Sequence, residues 1–278
     1  MYTLTLCASL FLLGADSEAP LTEPRLENAQ TLAMGGASQS NSFSNIAMLN
    51  NAAAMVFIPR YSIETAYLRD PQFGWKTWIT SLIDTTNRAF AGGLTYVQSK
   101  TNDSSTTLHQ IIGSSGFALG QTISAGFNVR RIQGKGDLSP IDEGESFWST
   151  DISVSLRMVP QWITGWAWRS VGKRPTSPLP ESTHILSTAW LGMGFTVAFD
   201  VEVPTDENKS ALYKLGGEYI AGRSVPIRMG WNYRETTGNE VGIGIGWIEK
   251  SGALDLGFSK HFYGEYAWLW SAGLRLFY

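Results

Sequence analysis

The chain has 278 residues, a formal net charge of -3, a single cysteine, and 16% charged against 43% hydrophobic residues. The slight acidity leaves no basic footprint for nucleic acid, one thiol excludes a disulfide framework or a cysteine metal site, and no apolar run reaches the ~18 residues of a membrane helix. Gly 29 and 12% aromatic residues, with a mean hydropathy near zero, suit many two-faced strands better than helices.

The first element is apolar. Leu4 to Leu13 reads as the core of a secretory signal, and Ser17-Glu18-Ala19 offers small residues for cleavage before Pro20. No Lys or Arg precedes Arg25, a departure from the usual positive start, and Cys7 lacks the small residue before it that a lipoprotein anchor needs. Residues 1–19 are therefore expected to be a signal peptide, 20–59 a separate N-terminal segment, and 60–278 one barrel. The N-terminal segment has little strand character and contains Ala33-Met34-Gly35-Gly36-Ala37, a Ser/Asn-rich stretch, and Asn50-Asn51-Ala52-Ala53.

From Tyr61 onward the apolar residues alternate, which puts them on one face of each strand. Strands are predicted at Tyr61 to Arg69, Phe73 to Ile83, Ala89 to Ser99, Thr106 to Gly113, Gln121 to Gln133, Thr150 to Met158, Gln161 to Ser170, Thr183 to Leu191 and Gly194 to Val203. Alternation is clear at Ile152, Val154, Leu156 and Met158 against Asp151, Ser153, Ser155 and Arg157, and blurred at Leu108 to Ile112 and Ile185 to Leu191.

The last stretch, Ala211 to Tyr278, reads as five more strands. Val225, Ile227, Met229, Trp231 and Tyr233 alternate with Arg228, Gly230, Asn232 and Arg234, and Val241, Ile243, Ile245 and Trp247 with Glu240, Gly242, Gly244 and Gly246. The final strand ends Leu274, Leu276, Tyr278, an apolar row that closes on an aromatic residue and reads as a membrane-assembly signal. Fourteen strands is an even number, and the long connections (Gly134 to Ser149, Val171 to Ser182, Pro204 to Ser210) fall on one side of the sheet, with short turns such as Val159-Pro160 and Lys250-Ser251 on the other.

Periodicity alone does not say which face is inside. A soluble barrel buries the apolar row, whereas a membrane barrel turns it toward lipid. Whole charges on strand after strand, Trp and Tyr at the row ends, and short turns on alternate sides favour an all-β transmembrane up-and-down barrel of about fourteen strands. The lumen then holds Glu64, Lys76, Arg130, Asp151, Arg157, Arg169, Asp200, Glu202, Lys214, Glu218, Arg228, Arg234, Asp255, His261 and Arg275, of mixed sign. Folding the hairpins about Arg223 and about Lys250-Ser251 sets Glu218 opposite Arg228 and Glu240 opposite His261, pairs that stabilise a sheet by about 0.2 to 1 kcal/mol each. Within the third strand, Gly92-Gly93 suggests a bulge or a close backbone approach.

The order Ala-Met-Gly-Gly-Ala, a Ser/Asn stretch, then Asn-Asn-Ala-Ala before paired strands resembles the N-terminus of outer-membrane barrels of the FadL and PorV/PorQ type. Leu179-Pro180, Ala198-Phe199-Asp200, Leu215-Gly216-Gly217-Glu218-Tyr219 and Pro226-Ile227-Arg228-Met229-Gly230 extend that resemblance over most of the chain. It implies an N-terminal lumenal plug, carried onto Met34, Gly35, Gly36 and Asn50, with Asn51 standing where the family usually has proline. An ordinary tight turn is the plainer reading of the two glycines. The resemblance also makes Gly92 and Gly93 the candidate for a kink that opens the wall sideways. Implied partners are the lipid bilayer, the barrel-assembly machinery, and either hydrophobic small molecules or proteins of an envelope complex for secretion or surface motility. No cofactor is expected. The three histidines have no metal spacing, no G-x-S-x-G elbow occurs, and Gly242 to Gly246 lies on a strand rather than before a helix.

Overall fold

In the computed structural model, residues 24–40, 44–71, 74–87, 89–102, 105–136, 145–172, 181–262 and 268–278 are described. The leading apolar segment with Cys7, its cleavage site, and Leu179-Pro180 lie outside the described residues.

Fourteen strands form one closed antiparallel barrel in which each strand pairs with its sequence neighbours and β1 pairs with β14. They are β1 (Tyr61–Asp70), β2 (Trp75–Asp84), β3 (Phe90–Thr101), β4 (Thr107–Ala118), β5 (Ile123–Lys135), β6 (Phe147–Val159), β7 (Trp162–Arg169), β8 (Thr183–Gly192), β9 (Phe195–Pro204), β10 (Leu212–Ala221), β11 (Val225–Arg234), β12 (Gly238–Glu249), β13 (Gly252–His261) and β14 (Trp268–Phe277). The predicted strands all appear, and closure removes the open edges that would otherwise expose unpaired backbone.

The barrel is inside out relative to a soluble protein. Ile243 is 50% exposed, Leu254 58% and Leu274 41%, while Arg228 is 2% and Asp255 8% exposed. Hydrocarbon can accept the first set and an enclosed polar interior the second. The ladders set Glu218 opposite Arg228 and Glu240 opposite His261.

Lys76 corrects the sequence reading. It points outward beside Trp78 and Leu82, and its Nζ donates to the Asn102 carbonyl at 3.2 Å, whereas Trp75, Ile79 and Ile83 of the same strand are buried inside. Both faces of β2 are apolar there because the lumen side packs on another apolar body, so alternation could not tell in from out. The same cause blurs β4, where Ile112 faces inward and is fully buried while Ile111 faces outward and is 47% exposed. β4 also runs on to Ala118 through Gly113 and Gly116, beyond the predicted end.

Candidate functional site: the lumen and its plug

The body filling the lumen is the N-terminal segment. It forms α1 (Ala29–Ala33), α2 (Ala47–Asn50) and a 3-10 helix (Ala52–Phe57). Helices this short are not stable by propensity alone, so wall contacts must hold them. Asn28 caps α1 by accepting from the Thr31 amide at 2.9 Å, and Thr31 Oγ1 accepts from the Asn28 amide at 3.1 Å in a reciprocal capping box. Of the described side chains from Asn28 to Val56, only Asn50 is not buried.

Glycines let the plug touch the wall. A Cβ on Gly216 would stand 2.6 Å from the Met34 carbonyl oxygen, and one on Gly230 would overlap the Met34–Gly35 peptide. Gly242 clears Leu32 and Ala33, Gly257 clears Ala29, Gly116 and Gly126 clear Ala52 and Ala53, and Gly165 clears Asn51. The register joins Gly216 to Gly230, Gly230 to Gly242, and Gly116 to Gly126 as direct cross-strand partners. These glycines supply clearance, for their backbones are ordinary strand. By contrast Gly35 and Gly36 turn through φ 64 and φ 80, which favours residues without a side chain, and Gly35 also lies against the Trp231 backbone.

Wall side chains then satisfy the plug's backbone, as burial requires. Asp200 accepts from the Ser38 and Gln39 amides at 2.8 and 3.1 Å. Glu64 accepts from the Asn45 amide at 2.7 Å and from the Asn28 side chain. Ser153 accepts from the Ala53 amide at 3.1 Å and Ser124 donates to the Ala53 carbonyl at 2.7 Å. Asn51, at the position where proline was expected, donates to Ser155 at 2.9 Å. Ile46, Met48, Leu49, Met55 and Val56 pack on Ile79, Ile83, Val97 and Ile112 of β2–β4.

An ionic chain lines the opposite wall. Arg228 reaches Glu218 at 2.6 Å and Asp255 at 2.5 Å, and Asp255 also meets Arg275 at 3.5 Å. The Arg228–Asp255 bridge passes over β12, where a Cβ on Gly246 would collide with the Asp255 carboxylate. Nearby, Arg25 of the plug bridges to Glu240 at 2.9 Å, and His261 meets the same carboxylate at 2.8 Å. Lys214 holds Glu202 at 2.6 Å. At the turn end, between plug and wall, a cavity of about 460 Å³ is lined by residues including Gln30, Arg60, Ile220, Arg228, Arg275 and Phe277. Burial first, and Arg275 second, pull the Arg60 guanidinium down to about 10.

The predicted residues thus fall into groups. Met34, Gly35 and Gly36 sit in the lumen against β10–β12, while Asn50 bonds within the plug, donating to Ser38 at 2.7 Å. Asp200, Lys214, Glu218, Arg228, Asp255, His261 and Arg275 are inward. Arg157 lies at the turn end, donating to the Pro160 carbonyl at 2.9 Å and the Phe57 carbonyl at 3.4 Å, and Arg234 at the loop end of β11. Gly92 and Gly93 lie in a continuous ladder with β2 and β4; Gly93 faces the Met48 thioether and Gly92 faces out. Leu274 and Leu276 are exposed on the outer face, and Tyr278 packs edge-on against Tyr61 at 5.9 Å. Sequence reasoning missed Arg25, Glu27 and Arg60, which lie outside any strand and so carry no periodic signal. It placed the glycines of β12 on the inner row, yet nothing local showed that a second segment needed their space.

No protein-family model and no curated protein matches the sequence. Solved structures do match over nearly the whole chain. A monoaromatic hydrocarbon channel, CymD, aligns with TM-score 0.67 at 11% identity, covering 90% of this chain and 97% of its own. The toluene transporter TodX of Pseudomonas putida aligns with TM-score 0.62 at 13% identity over 93% and 98%. A FadL homologue of Pseudomonas aeruginosa aligns with TM-score 0.57 at 13% identity over 94% and 98%.

Proposed function

We propose that this chain is a non-enzymatic β-barrel of a Gram-negative outer membrane that passes small hydrophobic molecules passively, with residues 24–59 as its plug. The inverted distribution of side chains carries the reading: the strands' outer face is apolar and exposed, and their charges are enclosed. Support for a hydrophobic cargo comes from the hydrocarbon channels that share the fold and from the apolar cluster between the plug and β2–β4. In this reading Met34, Gly35, Gly36 and Asn50 belong to the obstruction, and the outward row Leu274, Leu276 and Tyr278 serves as the membrane-assembly signal for the barrel-assembly machinery.

The candidate for a sideways exit is β3 at Gly92 and Gly93, where the ladder to β2 and β4 runs without the expected bulge but two successive residues carry no side chain, and the Met48 thioether lies on the inner side of Gly93. The test is uptake of toluene into liposomes holding the folded full chain, compared with empty liposomes. Uptake that rises with the barrel and falls in the Gly92→Val/Gly93→Val variant supports both the channel and the exit. A folded, inserted barrel that passes no toluene overturns the channel reading; copurification with envelope proteins would then make it an anchoring subunit.

A further inference from the structure

The outer face of the barrel is mostly apolar, and one arc of its loop-end rim sets like charges directly opposite one another. There the register sets Arg69 of β1 directly opposite Lys76 of β2, and Lys76 directly opposite Lys100 of β3. Lys100 then pairs with Thr107, and Thr107 with Lys135 of β5. All face outward: Arg69, Lys100 and Lys135 are exposed and Lys76 half-buried. Directly opposed residues on adjacent strands stand about 5 Å apart, and like charges there destabilise the sheet. Among the described residues, the ion pairs involve none of Arg69, Lys76 and Lys100. The neighbouring acid, Asp70, is turned inward and 1% exposed.

The rest of the outer face does not repeat this. At the turn end, the outward strand positions hold Asp84 and Glu249 and no Lys or Arg among the described residues. Two strands beyond β1, Lys260 of β13 lies over Trp268 at 5.3 Å, and outward Arg131 of β5 lies over Trp148 at 5.7 Å; each faces an aromatic neighbour rather than an opposed like charge. Snorkelling explains a scattered cation at a membrane boundary, but not a ladder of them repelling one another.

We propose that the loop-end rim of β1–β3, extended to β5 by Lys135, is a docking surface for phosphate-bearing lipid headgroups. Lysine meets phosphate as a point charge and arginine in a two-pronged grip, and rows of basic residues at a membrane surface attract anionic lipids. The outward aim of the row beside the apolar belt selects a lipid over a soluble anion, because acyl chains can lie on Trp78 and Leu82 while the headgroup meets Lys76. This inference rests on the membrane reading above.

The experiment offers the detergent-folded full chain equal amounts of phosphatidylglycerol and phosphatidylcholine, and native mass spectrometry counts the lipid retained. Wild type should retain several-fold more of the anionic lipid. The Lys76→Gln/Lys100→Gln variant should lose that preference at least fivefold, while Arg223→Gln/Lys250→Gln, the same charge change at exposed turns of the opposite end, should keep it. Molar salt should strip the lipid from wild type, a readout that needs no variant to fold. Equal retention in both variants, retention indifferent to salt, or full competition by inorganic phosphate overturns the proposal. A barrel that also fails to float with phosphatidylcholine liposomes overturns the membrane reading with it, whereas insertion without lipid preference overturns this inference alone.

Discussion

The two halves of the lumen hold the same plug by different means. On the β10–β14 side the plug's α1 meets glycines at backbone distance, and the wall around it is ionic: Glu218, Arg228, Asp255 and Arg275 in one chain, Arg25, Glu240 and His261 in another. On the β2–β6 side the 3-10 helix and α2 lie against apolar residues and a few serines. Ionic contacts in an enclosed space fix position sharply because each charge is costly without its partner. Apolar contacts tolerate sliding, since dispersion and burial have no direction. The comparison teaches that one half sets the register of the plug while the other gives it bulk adhesion, and a plug that moves should release the apolar half first.

The hardest blow to that division is Arg228→Met. It strands buried Glu218 and leaves Asp255 with Arg275 at 3.5 Å, and removing one partner of such a network costs about 3–5 kcal/mol. Urea unfolding of the barrel, followed by tryptophan fluorescence, measures it. A loss below ~1 kcal/mol would mean the ionic chain does not brace the wall on which α1 rests.

Glycine clearance compares single contacts next, since Gly116 and Gly126 also admit the plug's backbone on the β4–β5 wall. Gly230→Ala drives a methyl into the Met34–Gly35 backbone, which cannot step aside, whereas Gly93→Ala meets the mobile end of Met48. Overpacking of this kind costs about 1–3 kcal/mol, with Gly230→Ala at the top of that range and Gly93→Ala at the bottom by the same unfolding assay. Equal losses would show that the Met48 side chain yields no more readily than the Met34–Gly35 backbone.

Met48→Ala comes third, at about 2 kcal/mol from lost burial and a partly collapsed cavity. Its loss should be indifferent to salt, and proteolysis of the plug should begin nearer α2 than α1. A first cut near Arg25 would reverse the assignment of the two halves.

The barrel was legible in the sequence because alternation is a global signal written strand by strand, as in Val225 to Arg234. Glu218 opposite Arg228 followed from counting across a tight turn. Legibility failed where the inner face is apolar: Lys76 looked lumenal only because Ile79 and Ile83 answer to the plug rather than to lipid. It failed again for Arg25, Glu27 and Arg60, because a segment with no period gives no face, and their roles depend on wall residues distant in sequence. The Lys76–Lys100 pair was hidden for a similar reason, since each lysine alone is an ordinary rim residue and only the register makes them neighbours.

The smallest effect concerns Glu27, which bridges to Arg25 at 3.2 Å inside the plug. Burial pushes its carboxyl above the ordinary range, and Glu240 adds to this against the pull of Arg25. The folded protein therefore holds that proton at a pH where the unfolded chain has released it, so stability from this group is present at low pH and falls as pH rises through the folded value. Glu27→Gln removes the step, and the stability of wild type relative to the variant should decline across that window. Arg25 stays paired with Glu240 in the variant, so the ionic half should otherwise unfold unchanged. A variant whose stability follows pH as wild type does would place the titration elsewhere in the Glu240 cluster, and the plug's anchor would then be the wall carboxylate alone.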